Sequence, residues 1–254
     1  MNFSDPETVV DLDNIRAVLI RMEDTVLFDL IERAQFPVNN LVYSKQAFPA
    51  LKTNFLSWFL AETERTHSKV RRYEAPDENA FFPQVIEASV LPRLELPQVL
   101  ASYQKEVNVN QELLDLYISK IIPGVCESGE EPQNIGSCAV CDVSCLQSLS
   151  RRVHFGKFVA ESKFLSERPR FEKLIAAKDA QGLEGAISKP EVEAKLLERL
   201  RSKAENYAAD PSLRYSERQT KFKLDPNVVV EIYRDIIIPL TKKVEVEYLL
   251  RRCG

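Results

Sequence analysis

The sequence predicts an all-α fold: one helical bundle with a long central helix and the functional site inside it. Three observations carry this. Only 7 glycines occur in 254 residues, against many Leu, Glu, Lys and Ala, a balance that favours helix over sheet. Apolar residues recur at three- and four-residue spacing through most of the chain, and no alternation of useful strand length or internal repeat appears. Helix-start signals stand ahead of several of these runs. No compact unit closes before the turn-rich stretch 123–137, so residues 1–254 read as a single domain.

Ser4 and Glu7 have capping-box spacing, and Asp11 offers a second start for an amphipathic helix running to about residue 34. Its apolar stripe also carries Arg16 and Glu23, each either at the stripe's edge or buried against a partner or ligand. Residues 35–52 read as irregular. A helix over 53–72 turns Phe55, Leu56, Phe59 and Leu60 inward and ends in Lys69, Arg71 and Arg72, cations that suit a helix C-terminus or a second anion site. Residues 75–83 are a loop, and 110–122 form an amphipathic helix. Residues 147–164 read as the middle of the long central helix, interrupted in composition only by Gly156.

On that helix Leu149, Arg152, Gly156, Val159, Ala160 and Lys163 share a face. The two cations lie roughly 16 Å apart along the axis and can lean toward each other above the small residues between them. Such a face describes either a pocket for a small, multiply charged anion or two solvated charges on a surface helix. Beyond it come a helix near 170–178, another opened by the capping-box pair Ser188 and Glu191, and a polar, irregular stretch at 207–225. Asp225-Pro226 starts the last helix, 226–252, which Pro239 should kink.

Composition excludes several classes. The charge is −4 and the pI about 5.5, with no dense basic block, so nucleic acid is not expected as a partner. No apolar run approaches the ~20 residues of a membrane span. The acidic start, MNFSDPETVVDLDNI, has no basic-then-apolar leader, and the cytoplasm is expected. Cys126, Cys138, Cys141 and Cys145 include one Cys-x-x-Cys, but neither a second pair nor His67 or His154 completes a metal set, so they read as reduced packing thiols. The inward polar set is Arg16, Arg152, Lys163, Glu193, Thr241 and Glu245, drawn from several helices. It contains no nucleophilic triad, phosphate loop or paired metal ligands. It suits a dicarboxylate whose reaction needs positioning and charge stabilisation.

The segments ETVVDLDNIRAVLIRMED, HSKVRRYEAPDENAFFP, SLSRRVHFGKFVAESKF and TKKVEVEYLLRR resemble the all-helical chorismate mutases of fungi and plants, over essentially the whole chain. The resemblance implies conversion of chorismate to prephenate at the branch toward Phe and Tyr, with no cofactor and no metal, by a homodimer. It implies that Arg16 and Arg152 hold the substrate carboxylates, and that Lys163 and a protonated Glu245 contact the ether oxygen. Thr241 and Glu193 would contact carboxylate and hydroxyl, and Glu23 would orient Arg152. It further implies an effector site for tyrosine and tryptophan at Arg71, Arg72, Asn134, Gly136 and Ser137. The chain departs from the fungal pattern at Lys189, which replaces a ligand-contacting Asn, and at Val140 and Asp225, each replacing Thr. A catalytically silent amino-acid-binding module and a plain helical interaction protein are the alternatives to an enzyme.

Overall fold

The computed structural model describes residues 2–207 and 224–252. Most of the polar stretch expected to be irregular at 207–225 lies outside them. Twelve α-helices follow in order among the described residues: α1 (Pro6–Val10), α2 (Leu12–Ala34), α3 (Phe55–Ser68), α4 (Asn110–Leu116), α5 (Ile122–Val125), α6 (Ile135–His154), α7 (Gly156–Ser166), α8 (Arg168–Ala176), α9 (Ala180–Ile187), α10 (Pro190–Tyr207), α11 (Pro226–Ile232) and α12 (Ile238–Leu250). Short 3₁₀ and π turns connect some of them, and no strand occurs among the described residues.

The capping chemistry explains most boundaries. Asp11 caps α2, accepting from the Asn14 N–H at 2.8 Å, and Asn54 caps α3 through Ser57 at 2.7 Å. The Ser4 box does not form. Pro6 fixes the first helical residue, so Asp5 is the cap and makes no side-chain bond. The helix expected over 53–72 stops at Ser68, because Arg71 takes a left-handed φ of 67°. That conformation ends helices and is usually left to glycine. The central helix is likewise two segments, α6 and α7, with a single non-α turn at Phe155. Helix α9 was not anticipated. Asp179 caps it through Gly182 at 2.8 Å, and its two glycines mask its helical period.

At Pro239, where a kink is expected, the last helix carries a π turn just ahead of the proline. Pro123 and Pro239 each follow a π turn, Tyr117–Ile121 and Tyr233–Ile237. A proline removes the N–H that the carbonyl four residues back would accept, and its ring crowds that carbonyl. Here those carbonyls belong to Ser119 and Asp235, inside the wider turns, which take up the misfit and let the helix continue.

One apolar cluster runs from Val9 to Leu249, with α6 at its centre against α2, α3 and α12. Cys138 and Cys145 are fully buried on α6 as packing groups. No helix among the described residues is long and apolar enough to cross a membrane. Within this core Arg33 and Asp142, both wholly buried, pair at 2.6 Å. Arg33 also donates to the carbonyls of Phe36, Pro37 and Val38, while Asp142 accepts from Tyr117 and Tyr43. The network ties the 36–38 turn to α6 with its charged groups hydrogen-bonded. Asp142→Ala should destabilise the fold by about 3–5 kcal/mol, because it strands a buried guanidinium; chemical denaturation compared with wild type measures this.

Candidate active site

The site is set by how closely α12 approaches the α6–α7 junction. A Cβ at Gly156 would lie 3.0 Å from Thr241 Cγ2 and 3.1 Å from both the Thr241 carbonyl and Glu245 Cγ. Any side chain here would force α12 to give by a few tenths of an ångström. With glycine there, Thr241 and Glu245 lie over the small-residue face between Arg152 and Lys163, and all four line one cleft. Leu12, Ile15, Val159, Leu196 and Ile238 supply its apolar walls, and Arg16, Lys189, Glu193 and Lys242 its remaining charges.

Arg152 is only 4% exposed, yet its Nε and Nη1 have no hydrogen-bond partner. The Tyr233 ring faces its charge, with the centroid 6.0 Å from the guanidinium carbon. Tyr233 is itself fully buried with an unpartnered hydroxyl. A buried guanidinium with free N–H groups is a strong anion receptor, since its desolvation is already complete and its fork matches a carboxylate.

Lys163 donates to the Ile187 carbonyl and lies 3.9 Å from Glu245 Oε2, an oxygen that has no hydrogen-bond partner. Burial pushes the Lys163 ammonium below the usual lysine range, with Glu245 opposing that fall. Burial raises the Glu245 carboxyl to about 7, against the pull of Lys163 and Arg152. Near neutrality, therefore, this carboxyl can carry a proton and donate it as a hydrogen bond. Thr241 Oγ1 donates to the Ile237 carbonyl at 2.6 Å.

The other sequence candidates separate. Arg16 lines the cleft at its rim, half-exposed, and is held by Asp13 at 2.8 Å. It is thus an edge residue rather than a buried one. Glu193 reaches the cleft paired to Lys242 at 2.8 Å. Glu23 does not orient Arg152. Its fully buried carboxylate takes Arg199 Nη2 at 2.6 Å and Nε at 2.9 Å, with Lys203 at 3.3 Å. Both cations belong to α10. Lys242 was missed as a cleft group, and Tyr233 as the ring behind Arg152. Tyr233 lies on the inward face of the last helix, as its period predicts, but an aromatic there reads as core. Lys242 lies next to Thr241, off that face by period, and gave no signal.

The residues Arg71, Arg72, Asn134, Gly136 and Ser137 do not meet within one chain. Arg71 donates to the Pro92 carbonyl at 2.6 Å. Arg72 bonds Glu78 at 3.2 Å and Gln147 at 2.9 Å. Asn134 donates to Glu131 at 2.7 Å, and Gly136 and Ser137 open α6 with open space around Gly136. Gln147 lies ten residues along α6 from Ser137, about 15 Å at the helical rise. Val140 is half-exposed beside the latter group, and Asp225 caps α11 through Asn227 at 2.8 Å.

Comparison with known proteins gives the family. The family model described as chorismate mutase type II matches residues 135–246, the span holding Arg152, Lys163, Glu193, Thr241 and Glu245. The chorismate mutase of Pichia angusta is 52% identical over 255 residues, covering 99% of this chain and 91% of that protein. The chain belongs to the chorismate mutase family. Among solved structures, the Aro7p chorismate mutase of Candida albicans in complex with L-Trp superposes with a TM-score of 0.95 at 50% identity, covering 99% of this chain and 95% of that one. AtCM1 with tyrosine bound in its allosteric site gives 0.87 at 37% identity, covering 96% of each chain. The chorismate mutase fold therefore extends over nearly the whole of this chain.

Proposed function

We propose that this chain isomerises chorismate to prephenate at the branch toward Phe and Tyr, as one cytoplasmic domain spanning residues 1–254. The observation that carries the reading is the buried, unpartnered Arg152 facing a cleft shared with Lys163 and Glu245. The reaction is unimolecular: one C–O bond breaks as one C–C bond forms within the same molecule. It needs no nucleophile. Arg152 holds one carboxylate of the dianion, and Arg16, released from Asp13, the other. Thr241 adds a carboxylate contact and Glu193 a contact to the ring hydroxyl, with Lys242 fixing the Glu193 side chain.

Negative charge grows on the ether oxygen as its bond to the ring breaks. Lys163 and neutral Glu245 are placed to donate to it, an interaction stronger in the transition state than in the ground state. The cleft walls select the compact conformer in which the bonding carbons approach. Regulation is part of the same proposal. Tyrosine and tryptophan act at a site made from Arg71 and Arg72 of one chain and Asn134, Gly136 and Ser137 of its partner in a homodimer, which accounts for the separation of the two groups within one chain.

Three outcomes are expected. Wild-type protein converts chorismate, followed by ultraviolet loss, and Lys163→Ala loses roughly 10²–10³ in kcat; an undiminished rate would remove Lys163 from the chemistry. Glu245 acts protonated, so activity falls as pH rises through about 7, and Glu245→Gln, whose amide donates at every pH, abolishes that fall. Tyrosine and tryptophan each change the rate, and Arg71→Ala removes the response while leaving turnover in place. Equal responses in wild type and Arg71→Ala would exclude Arg71 from the effector site.

A further inference from the structure

Between Arg72 and the cleft lies a chain of charged side chains that the reaction does not use. Residues 75–80 follow Arg71 and Arg72, and their backbone is fastened from several sides. Lys105 donates to the Ala75 carbonyl at 2.7 Å and to the Glu78 carbonyl at 2.5 Å. Asn110 and Asn108 donate to the carbonyls of Asn79 and Ala80, both at 2.9 Å. The wholly buried Lys157, second residue of α7, donates to Asn79 Oδ1 at 2.9 Å. A backbone pinned at these positions leaves side chains as the parts that can rearrange. Glu78 is the side chain placed to do so. Its Oε2 accepts from Arg72 Nε at 3.2 Å, and its Oε1 lies 3.8 Å from Arg151 Nε. One carboxylate thus stands between an arginine of the proposed effector site and the residue that precedes Arg152. Arg151 reaches it while bonded to the buried Asp77 at 2.7 Å. Arg72 gives its Nη1 to Gln147 and His67 at 2.9 and 3.1 Å, so the carboxylate that it holds is that of Glu78. Burial pushes the Glu78 carboxyl up, Arg72 and Arg151 pull it down, and Asp77 adds to the rise. A carboxylate so shielded leans on one cation when the other is taken.

We propose that Glu78 is a relay anion: the carboxylate of a bound amino-acid effector displaces it from Arg72, and it closes onto Arg151, at the end of α6 that carries Arg152. The inference rests on the effector reading above. Two carboxylates on one guanidinium repel each other, so the newcomer is favoured where Glu78 has a second cation within reach. Closing the 3.8 Å gap moves the Arg151 side chain, and with the loop backbone pinned the last turn of α6 takes up the change. Arg152 is the next residue, and no hydrogen bond from its Nε or Nη1 resists a change in its aim. Effector binding and the grip on the substrate carboxylate are thereby coupled.

The test uses the full chain and two variants, Glu78→Gln and Arg151→Lys. Binding of tyrosine and of tryptophan is measured by calorimetry, and chorismate turnover is followed with and without saturating effector. In Glu78→Gln no anion competes for Arg72, so each amino acid should bind roughly three- to fivefold more tightly, the contribution of a partly exposed ion pair. The same variant should respond less. Its ratio of rates with and without effector moves toward one, while turnover without effector stays near wild type. Arg151→Lys keeps a cation for Asp77 but lacks the Nε that faces Glu78. A displaced Glu78 then finds a poorer partner, so binding should weaken and the response should again shrink. Opposite changes in affinity with the same loss of response mark a displaced anion. A mere prop for Arg72 predicts weaker binding and a lower melting temperature in Glu78→Gln. Equal or weaker binding in Glu78→Gln would overturn the proposal, as would a full response in either variant. Wild-type protein that turns over chorismate but responds to neither amino acid would overturn the effector reading, and this inference with it, before any variant is compared.

Discussion

The close approach of α12 to the α6–α7 junction at Gly156 is the constraint on which the site depends. With a Cβ at 156, the contacts at 3.0 and 3.1 Å would push Thr241 and its backbone away, and Glu245 with them. The 3.9 Å separation of Lys163 and Glu245 would shift with them. The burial that raises Glu245 and depresses Lys163 follows from the same packing. One missing side chain thus sets both the shape of the cleft and the proton chemistry within it.

Two buried arginines show how satisfaction separates structure from function. Arg33 and Arg152 are each almost wholly removed from water. Arg33 spends its donors on Asp142, three carbonyls and Tyr43. Arg152 leaves Nε and Nη1 unused. Desolvating a guanidinium without partners is costly, and the fold bears that cost where an anion would repay it. Burial alone does not distinguish the two; the hydrogen-bond inventory does.

The same contrast explains what was legible in the sequence. The all-α class, the shared face of Arg152 and Lys163, and the inward register of Thr241 and Glu245 all follow from a 3.6-residue period, which a chain displays openly. The partner of Glu23 was not legible, since choosing among Arg152, Arg199 and Lys203 depends on which way side chains from different helices point. Lys242 escaped because pairing across helices overrides its position off the inward face. Helix boundaries slipped where backbone conformation departed from residue preference: Arg71 in the left-handed region, Lys189 as a cap, and π turns ahead of Pro123 and Pro239. Resemblance supplied roles that periodicity could not, but it also gave Glu23 to Arg152, whereas the Glu23 carboxylate bonds Arg199 and Lys203.

Helix α6 is common to the cleft and to the proposed effector groups. Gly136 and Ser137 lie in its first turn, Gln147 meets Arg72 in its middle, and Arg152 stands in its last turn. Ser137 and Arg152 are separated by about 22 Å of continuous helix, too far for direct electrostatic influence through screened solvent. A helix moves as a unit, so an effector bound at its N-terminus as proposed would act on the position of Arg152 at the other end. For that to become regulation, α6 must have two packed arrangements of similar energy, which effector and substrate bias in opposite or concordant senses. The non-α turn at Phe155 lies one turn beyond Arg152 and just before Gly156. There a shift of α6 would be passed to α7 and Lys163 or absorbed, and the spacing between Arg152 and Lys163 would change accordingly.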